Sequence, residues 1–161
     1  AHRKFEAWLS FAFFHNGLAF SYLYFTTMSR EDFAFTPASW ILMIGFTFQL
    51  IGFIIKFLAT WQIGLSIYYY KDMFIEEKVI DFEGNGIFKF MSNPLYGWGQ
   101  LNGYGAALLA FSWHGILANV VNQLCLYSFY YSLEKPFVRR FYLGIRTDGI
   151  GALRTTAQST I

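Results

Sequence analysis

The sequence predicts an all-α integral membrane protein. It has about four transmembrane helices, the last two forming a tight helical hairpin, and both termini on the same positively charged side. Three observations predict this. Only 14% of the 161 residues are charged, against about 25% in soluble domains. The chain is 55% hydrophobic, with 20 Phe, 11 Tyr and 5 Trp, and has a mean hydropathy of +0.35. A soluble monomer, whose largest apolar patch is about 300–600 Å², could not hide that much aromatic surface. Finally, the apolar residues fall in runs of roughly 20, the length that crosses a hydrocarbon core. One domain, 1–161, is expected.

The first run is 7–27, "AWLSFAFFHNGLAFSYLYFTT". The second, 38–61, continues apolar to Tyr70. That is too long for one straight span, so a break is expected near Gln62–Gly64. A polar stretch, 71–92, leads to segments at about 94–112 and 115–133, separated only by "WHG". The "NPLYGWGQLNGYGA" segment carries Gly99, Gly103 and Ala107 four residues apart, a spacing that lets helices approach closely. The loop "DFEGNG", 81–86, reads as a tight turn. The N-terminal "AHRKFEAWLS" shows no small-residue cleavage site and reads as a mature start or a first helix.

The basic residues orient these segments. Four spans put Arg3, Lys4, Lys71, Lys78, Lys89, Lys135, Arg139, Arg140, Arg146 and Arg154 on one side, with Arg30 alone on the other. That bias is the positive-inside pattern, and Tyr68–Tyr70 and Phe129–Tyr131 read as interfacial aromatic belts on the same side. Lys56 lies inside the second run, roughly 9 Å short of Gln62, and is expected to snorkel toward the basic side. His15–Asn16, mid-way along the first run, is expected to make an inter-helix hydrogen bond. The single cysteine, Cys125, excludes an internal disulfide. With His2, His15 and His114 dispersed, no metal site is expected. No nucleic-acid partner is expected; membrane lipids and other membrane subunits are.

With "NPLY" at the mouth of the third segment, Asn102, Gly105 and Ala107 along it, a short hairpin, and "EKPF" followed by Tyr142, residues 40–143 resemble the phospholipid methyltransferase family. The resemblance is to its phosphatidylethanolamine N-methyltransferases, whose pattern is Asn-Pro-x-Tyr, a hairpin and "EEPF". A related enzyme type acting on a prenylated cysteine carboxylate fits these motifs less well. The resemblance implies an S-adenosylmethionine site among the last three spans. Gly52, Asn93, Pro94, Tyr96, Asn102, Gly105 and Glu134 would form it, and Asp72 would match a loop aspartate of the family.

Two positions depart from the pattern. Leu50-Ile51-Gly52 stands where the family has Gly-x-Gly, and Glu134-Lys135 where it has two glutamates; Trp98 also occupies a position expected to be small. A charge contact at about 4 Å and an effective dielectric near 20 is on the order of 4 kcal/mol, nearly a thousandfold in affinity. Lys135 therefore points to a chain that has lost catalysis, has no cofactor, and serves as an accessory subunit of a larger membrane complex. A mitochondrial respiratory or ATP synthase assembly in the inner membrane is one such complex. The alternative is an active S-adenosylmethionine-dependent enzyme, for which the endoplasmic reticulum is the natural location. No catalytic residue is assigned from sequence.

Overall fold

Long apolar runs must satisfy their own backbone groups when water is scarce, and the helix does so within one segment. The structure, a computed structural model, describes residues 2–75, 86–91 and 93–141, and every regular element among them is helical. In order these are α1 (His2–Thr26), α2 (Ala38–Tyr68), the short α3 (Lys71–Ile75) and α4 (Ile87–Phe90), α5 (Leu101–Leu109), α6 (Trp113–Phe129) and α7 (Lys135–Phe141). A 3₁₀ turn, Trp98–Gln100, leads into α5, and a π turn, Tyr130–Glu134, joins α6 to α7. Tyr142, Lys78, Arg146, Arg154 and most of the "DFEGNG" loop lie outside the described residues.

Of the four apolar runs, one forms a helix long and apolar enough to cross a membrane by itself, Ala38–Leu65 within α2. The break expected in this run falls at Gly64, whose φ of 77° and ψ of 158° interrupt the helix; a residue with a Cβ is strained there. The third run differs from expectation. Its helix begins at Leu101, because Asn93–Gly97 is spent in turns: Asn93 Oδ1 accepts the Tyr96 N–H at 3.2 Å, and the carbonyls of Asn93 and Pro94 accept from Gly97 and Gly99. Nine residues of α5 rise only about 14 Å. The hairpin is present, but its turn is Ala110–Ser112 and not "WHG". Ser112 Oγ caps α6 by accepting the Gly115 N–H at 2.8 Å.

The two ends of the molecule follow from these turns. At one end Phe33, Ile41 and Phe111 form a small core, and Arg30 lies over the Phe111 ring. At the other end the two aromatic belts meet, with Tyr70 5.3 Å from Phe129 and Tyr96 6.2 Å from Tyr130 between ring centroids. Many large apolar side chains stand on the outside. Asp72, Ser112 and Asn119 are buried while Phe46, Phe53 and Trp61 are exposed, a distribution that suits lipid around the helices.

The tightest packing joins α2 to α5. A Cβ on Gly52 would collide with the backbone nitrogen of Asn102. One on Gly105 would lie 2.6 Å from the Gly45 carbonyl oxygen, and one on Gly99 3.0 Å from Cγ of Lys56. Gly103 instead faces α6, where Asn119 stands against it. The small-residue stripe is thus split between two neighbours. Asn119 donates to Tyr24 Oη at 2.7 Å and to the Gly103 and Gly115 carbonyls, tying α1, α5 and α6 together. Lys56 does not run free toward the interface, since its Nζ donates to Asn102 Oδ1 at 2.8 Å. His15 and Asn16 lie on the exposed face of α1 and make no hydrogen bond among the described residues.

Overpacking at such contacts costs about 1–3 kcal/mol. Gly52→Ala and Gly105→Ala are each expected to lower the melting temperature in detergent. Gly17→Ala is the control: a Cβ there meets nothing within 4 Å, and alanine in a helix gains about 0.5–1 kcal/mol over glycine.

Candidate functional site

A helix that ends in strain, a turn built on Asn-Pro and a helix that widens by one residue all converge beside α3. Between them lies a cavity of about 250 Å³, just below the usual range of roughly 300–1,000 Å³ for small-molecule sites. Its walls include Ile63 and Tyr70 at the end of α2, Asp72 of α3, Asn93 and Tyr96 of the turn, and Tyr130, Glu134 and Arg139 of the last helical stretch.

Glu134 closes the π turn, a rare geometry that inserts one residue and often marks functional sites. It lines the cavity together with the Tyr96 side chain. Its Oε2 is buried and has no hydrogen-bond partner among the described residues; neither has the buried Nδ2 of Asn93. Burial raises the Glu134 carboxyl above the usual carboxylate range. The neighbouring Tyr96 hydroxyl opposes that rise, and the nearby negative charge of Asp72 adds to it. The Tyr96 hydroxyl is itself 2.7 Å from that of Tyr70, while its main-chain carbonyl accepts from Gln123 Nε2 of α6 at 3.1 Å.

Of the residues singled out from sequence, the structure brings Asn93, Tyr96 and Glu134 together at the cavity, joined by Asp72. Pro94 is fully buried within the turn that carries them. Gly52, Asn102 and Gly105 are not brought there, and they form the contact between α2 and α5. Leu50 is 48% exposed on the outside of α2, roughly 20 Å along the axis from Ile63, where the cavity begins. Trp98 also points outward. Lys135 does border the cavity, but its ammonium sits over the Tyr131 ring, 4.8 Å from the centroid, a cation–π contact one turn back. Tyr70, Tyr130 and Gln123 were missed from sequence. The tyrosines read as interfacial belt, and the only hint at Gln123 was an amide within an apolar run.

The phospholipid methyltransferase family profile matches residues 40–144. The chain belongs to the phospholipid methyltransferase family. A phosphatidylethanolamine N-methyltransferase of Schizosaccharomyces japonicus (strain yFS275 / FY16936) is 26% identical over 166 residues. These cover 97% of this chain and 18% of that protein, so the chain spans less than a fifth of that relative's length. No solved structure matches it.

The raised carboxyl of Glu134 has a consequence for stability. The folded state holds the proton more tightly than the unfolded chain does. The stability this gives is therefore complete below the ordinary carboxylate pKa and is lost as pH rises through the folded value. Glu134→Gln has no charge to desolvate. It is expected to melt higher than wild type at pH 8, by about 2–4 °C per kcal/mol gained, with the difference shrinking toward pH 4.

Proposed function

We propose that this chain binds S-adenosylmethionine at the cavity and methylates the amine of a phosphatidylethanolamine-type headgroup at the membrane surface. The observation that carries this reading is the buried, unpartnered Oε2 of Glu134 in the cavity wall. The residues present fit such a donor. Glu134 and Asp72 suit its two positive charges, and the unpartnered Asn93 Nδ2 suits a carboxylate oxygen. When bound, the donor supplies a methyl group on a sulfonium sulfur, which leaves as a neutral thioether when the amine nitrogen's lone pair takes the carbon.

The chain's own task is to free that lone pair. A headgroup amine has an ammonium-like pKa near 10 and must lose a proton before it attacks. Glu134 can take it: the N–H bond breaks and an O–H bond forms at Oε2. A carboxyl whose affinity for protons is raised by burial is the better base near neutral pH. The two departures that favoured lost catalysis carry less weight once placed in space. Leu50 is remote from the cavity, and the Lys135 ammonium is held on Tyr131.

Calorimetric titration of the full chain in mixed micelles is expected to give micromolar S-adenosylmethionine binding. Glu134→Gln should weaken it about 10- to 100-fold, the worth of one charge-assisted hydrogen bond. Leu50→Gly should leave it unchanged. If wild type binds nothing and transfers no labelled methyl to phosphatidylethanolamine, this reading is wrong.

One observation favours a second reading, a subunit packed among other membrane helices. His15 and Asn16 stand exposed half-way along α1 without a hydrogen bond, and polar groups at membrane depth demand partners. In that reading the mitochondrial inner membrane is the location; the enzyme reading favours the endoplasmic reticulum. A His15→Leu/Asn16→Leu double variant is then expected to migrate at monomer mass on native gels while wild type migrates with a larger assembly. Identical migration would count against it.

A further inference from the structure

The main chain holds Tyr96 in the cavity wall. Asn93 Oδ1 accepts the Tyr96 N–H at 3.2 Å, and the Asn93 carbonyl accepts the Gly97 N–H at 3.1 Å. The Tyr96 carbonyl looks out of the turn and accepts from Gln123 Nε2 of α6 at 3.1 Å. The orientation of that amide is forced. A carbonyl can only accept, so Nε2 faces Tyr96 and Oε1 faces the other way. There it accepts the Tyr104 hydroxyl of α5 at 2.7 Å. One planar amide thus bridges α5, α6 and the cavity turn, with both of its ends occupied.

The Tyr96 carbonyl and the Gly97 N–H belong to a single peptide plane. Asn93 holds that plane at its N–H end and Gln123 holds it at its C=O end. Without the second hold the plane is free to turn over. Glycine accepts φ of either sign, and Gly97, at φ −89° and ψ −108°, has no side chain to oppose the rotation. Turning would break the bond to the Asn93 carbonyl and open the turn that carries two cavity residues. The same stretch lies tightly on α6. A Cβ on Gly97 would stand 3.2 Å from the Tyr127 hydroxyl, and the Tyr96 ring meets that of Tyr130 edge-on at 6.2 Å. Gln123, Tyr127 and Tyr130 are spaced four and three residues apart, which puts them on one helix face.

On the reading of the cavity given above, we propose that Gln123 is a positioning residue. Its amide locks the Tyr96–Gly97 peptide plane and so keeps Asn93 and Tyr96 facing the cavity at a fixed distance from Tyr130 and Glu134. One helical run then carries both walls: Gln123 grips the turn, and Glu134, further along, forms the opposite side. Neither Gln123 nor Tyr104 lines the cavity, so both act from behind its wall. Tyr104 has the subordinate part, since its O–H occupies Oε1 and keeps the amide from turning round.

The locked peptide can be followed directly by magnetic resonance. With isotope label at tyrosine carbonyl carbons and glycine nitrogens, the purified full chain in detergent gives a linked signal only where glycine follows tyrosine. Those places are Tyr96–Gly97 and Tyr104–Gly105. Tyr104→Phe deletes the second signal and so assigns the first. Gln123→Met keeps the length and helix propensity of glutamine but has no amide. It is expected to move the Tyr96 carbonyl signal upfield, as loss of a donor does, and to leave the helical Tyr104–Gly105 signal near its place. Tyr104→Phe should move the Tyr96 signal less, in the same direction, and carries the comparison alone should Gln123→Met not fold. Ser128→Ala, which removes a bond made within α6, should move neither signal. Titrated in mixed micelles, S-adenosylmethionine should bind Gln123→Met about 3- to 10-fold more weakly, the worth of roughly one neutral hydrogen bond. Its binding to Ser128→Ala should equal wild type. A Tyr96 signal that stays in place in the folded variants overturns the proposal, and so does a displaced signal with undiminished donor binding. A displaced signal where wild type itself binds no donor leaves the hold of Gln123 on the turn standing and removes the methyltransferase reading instead.

Discussion

The close backbone approach of α2 and α5 is the constraint on which the rest depends. It works because Gly52 and Gly105 have no side chain where the partner helix lies, and Gly45 and Gly99 keep neighbouring contacts equally tight. Small residues at such a contact let dispersion contacts and buried hydrogen bonds act at close range. The Lys56–Asn102 bond belongs to the same seam and gives the Lys56 ammonium a partner between the two helices. With α5 fixed against α2, the Asn93–Gly97 turns are carried to the C-terminal end of α2. There they meet α3 and the π turn.

Asparagine, proline and glycine shape the site more than any helix does. Asn93 closes its own turn through Oδ1 and so presents Nδ2 without a partner. The same turn ties the Tyr96 carbonyl to Gln123 and brings its hydroxyl to that of Tyr70. Two carboxylates, Asp72 and Glu134, then border a cavity rich in aromatic rings. Such a place is electrostatically suited to cations: the low polarity that raises the Glu134 carboxyl also strengthens its attraction for a positive ligand.

The cavity lies within the part of the chain that the phospholipid methyltransferase family profile covers. The family profile covers the stretch from α2 to the end of α7. Within it, residues matched by motif separate into two groups with different physical roles. Gly52, Asn102 and Gly105 hold helices together; Asn93, Tyr96 and Glu134 face the cavity. A motif read along the chain gives both groups the same standing, because residues that place a wall and residues that form it are equally constrained.

Much was legible from sequence alone. The helical class, the break at Gly64, the hairpin and the meeting of the tyrosine belts at one end all follow from local rules: run length, the conformational freedom of glycine and the interfacial preference of aromatics. That Asn93, Tyr96 and Glu134 stand close to one another was legible because each belongs to a contiguous motif at the same end of the molecule. What the sequence could not give is direction in space. A one-residue widening at Tyr130–Glu134, a left-handed tyrosine at position 70 and the rotation of Lys135 onto Tyr131 depend on contacts between segments far apart in the chain. Those contacts decided that Leu50 faces outward, that the Gly99–Gly103–Ala107 stripe divides between α2 and α6, and that Glu134 Oε2 is buried without a hydrogen-bond partner among the described residues.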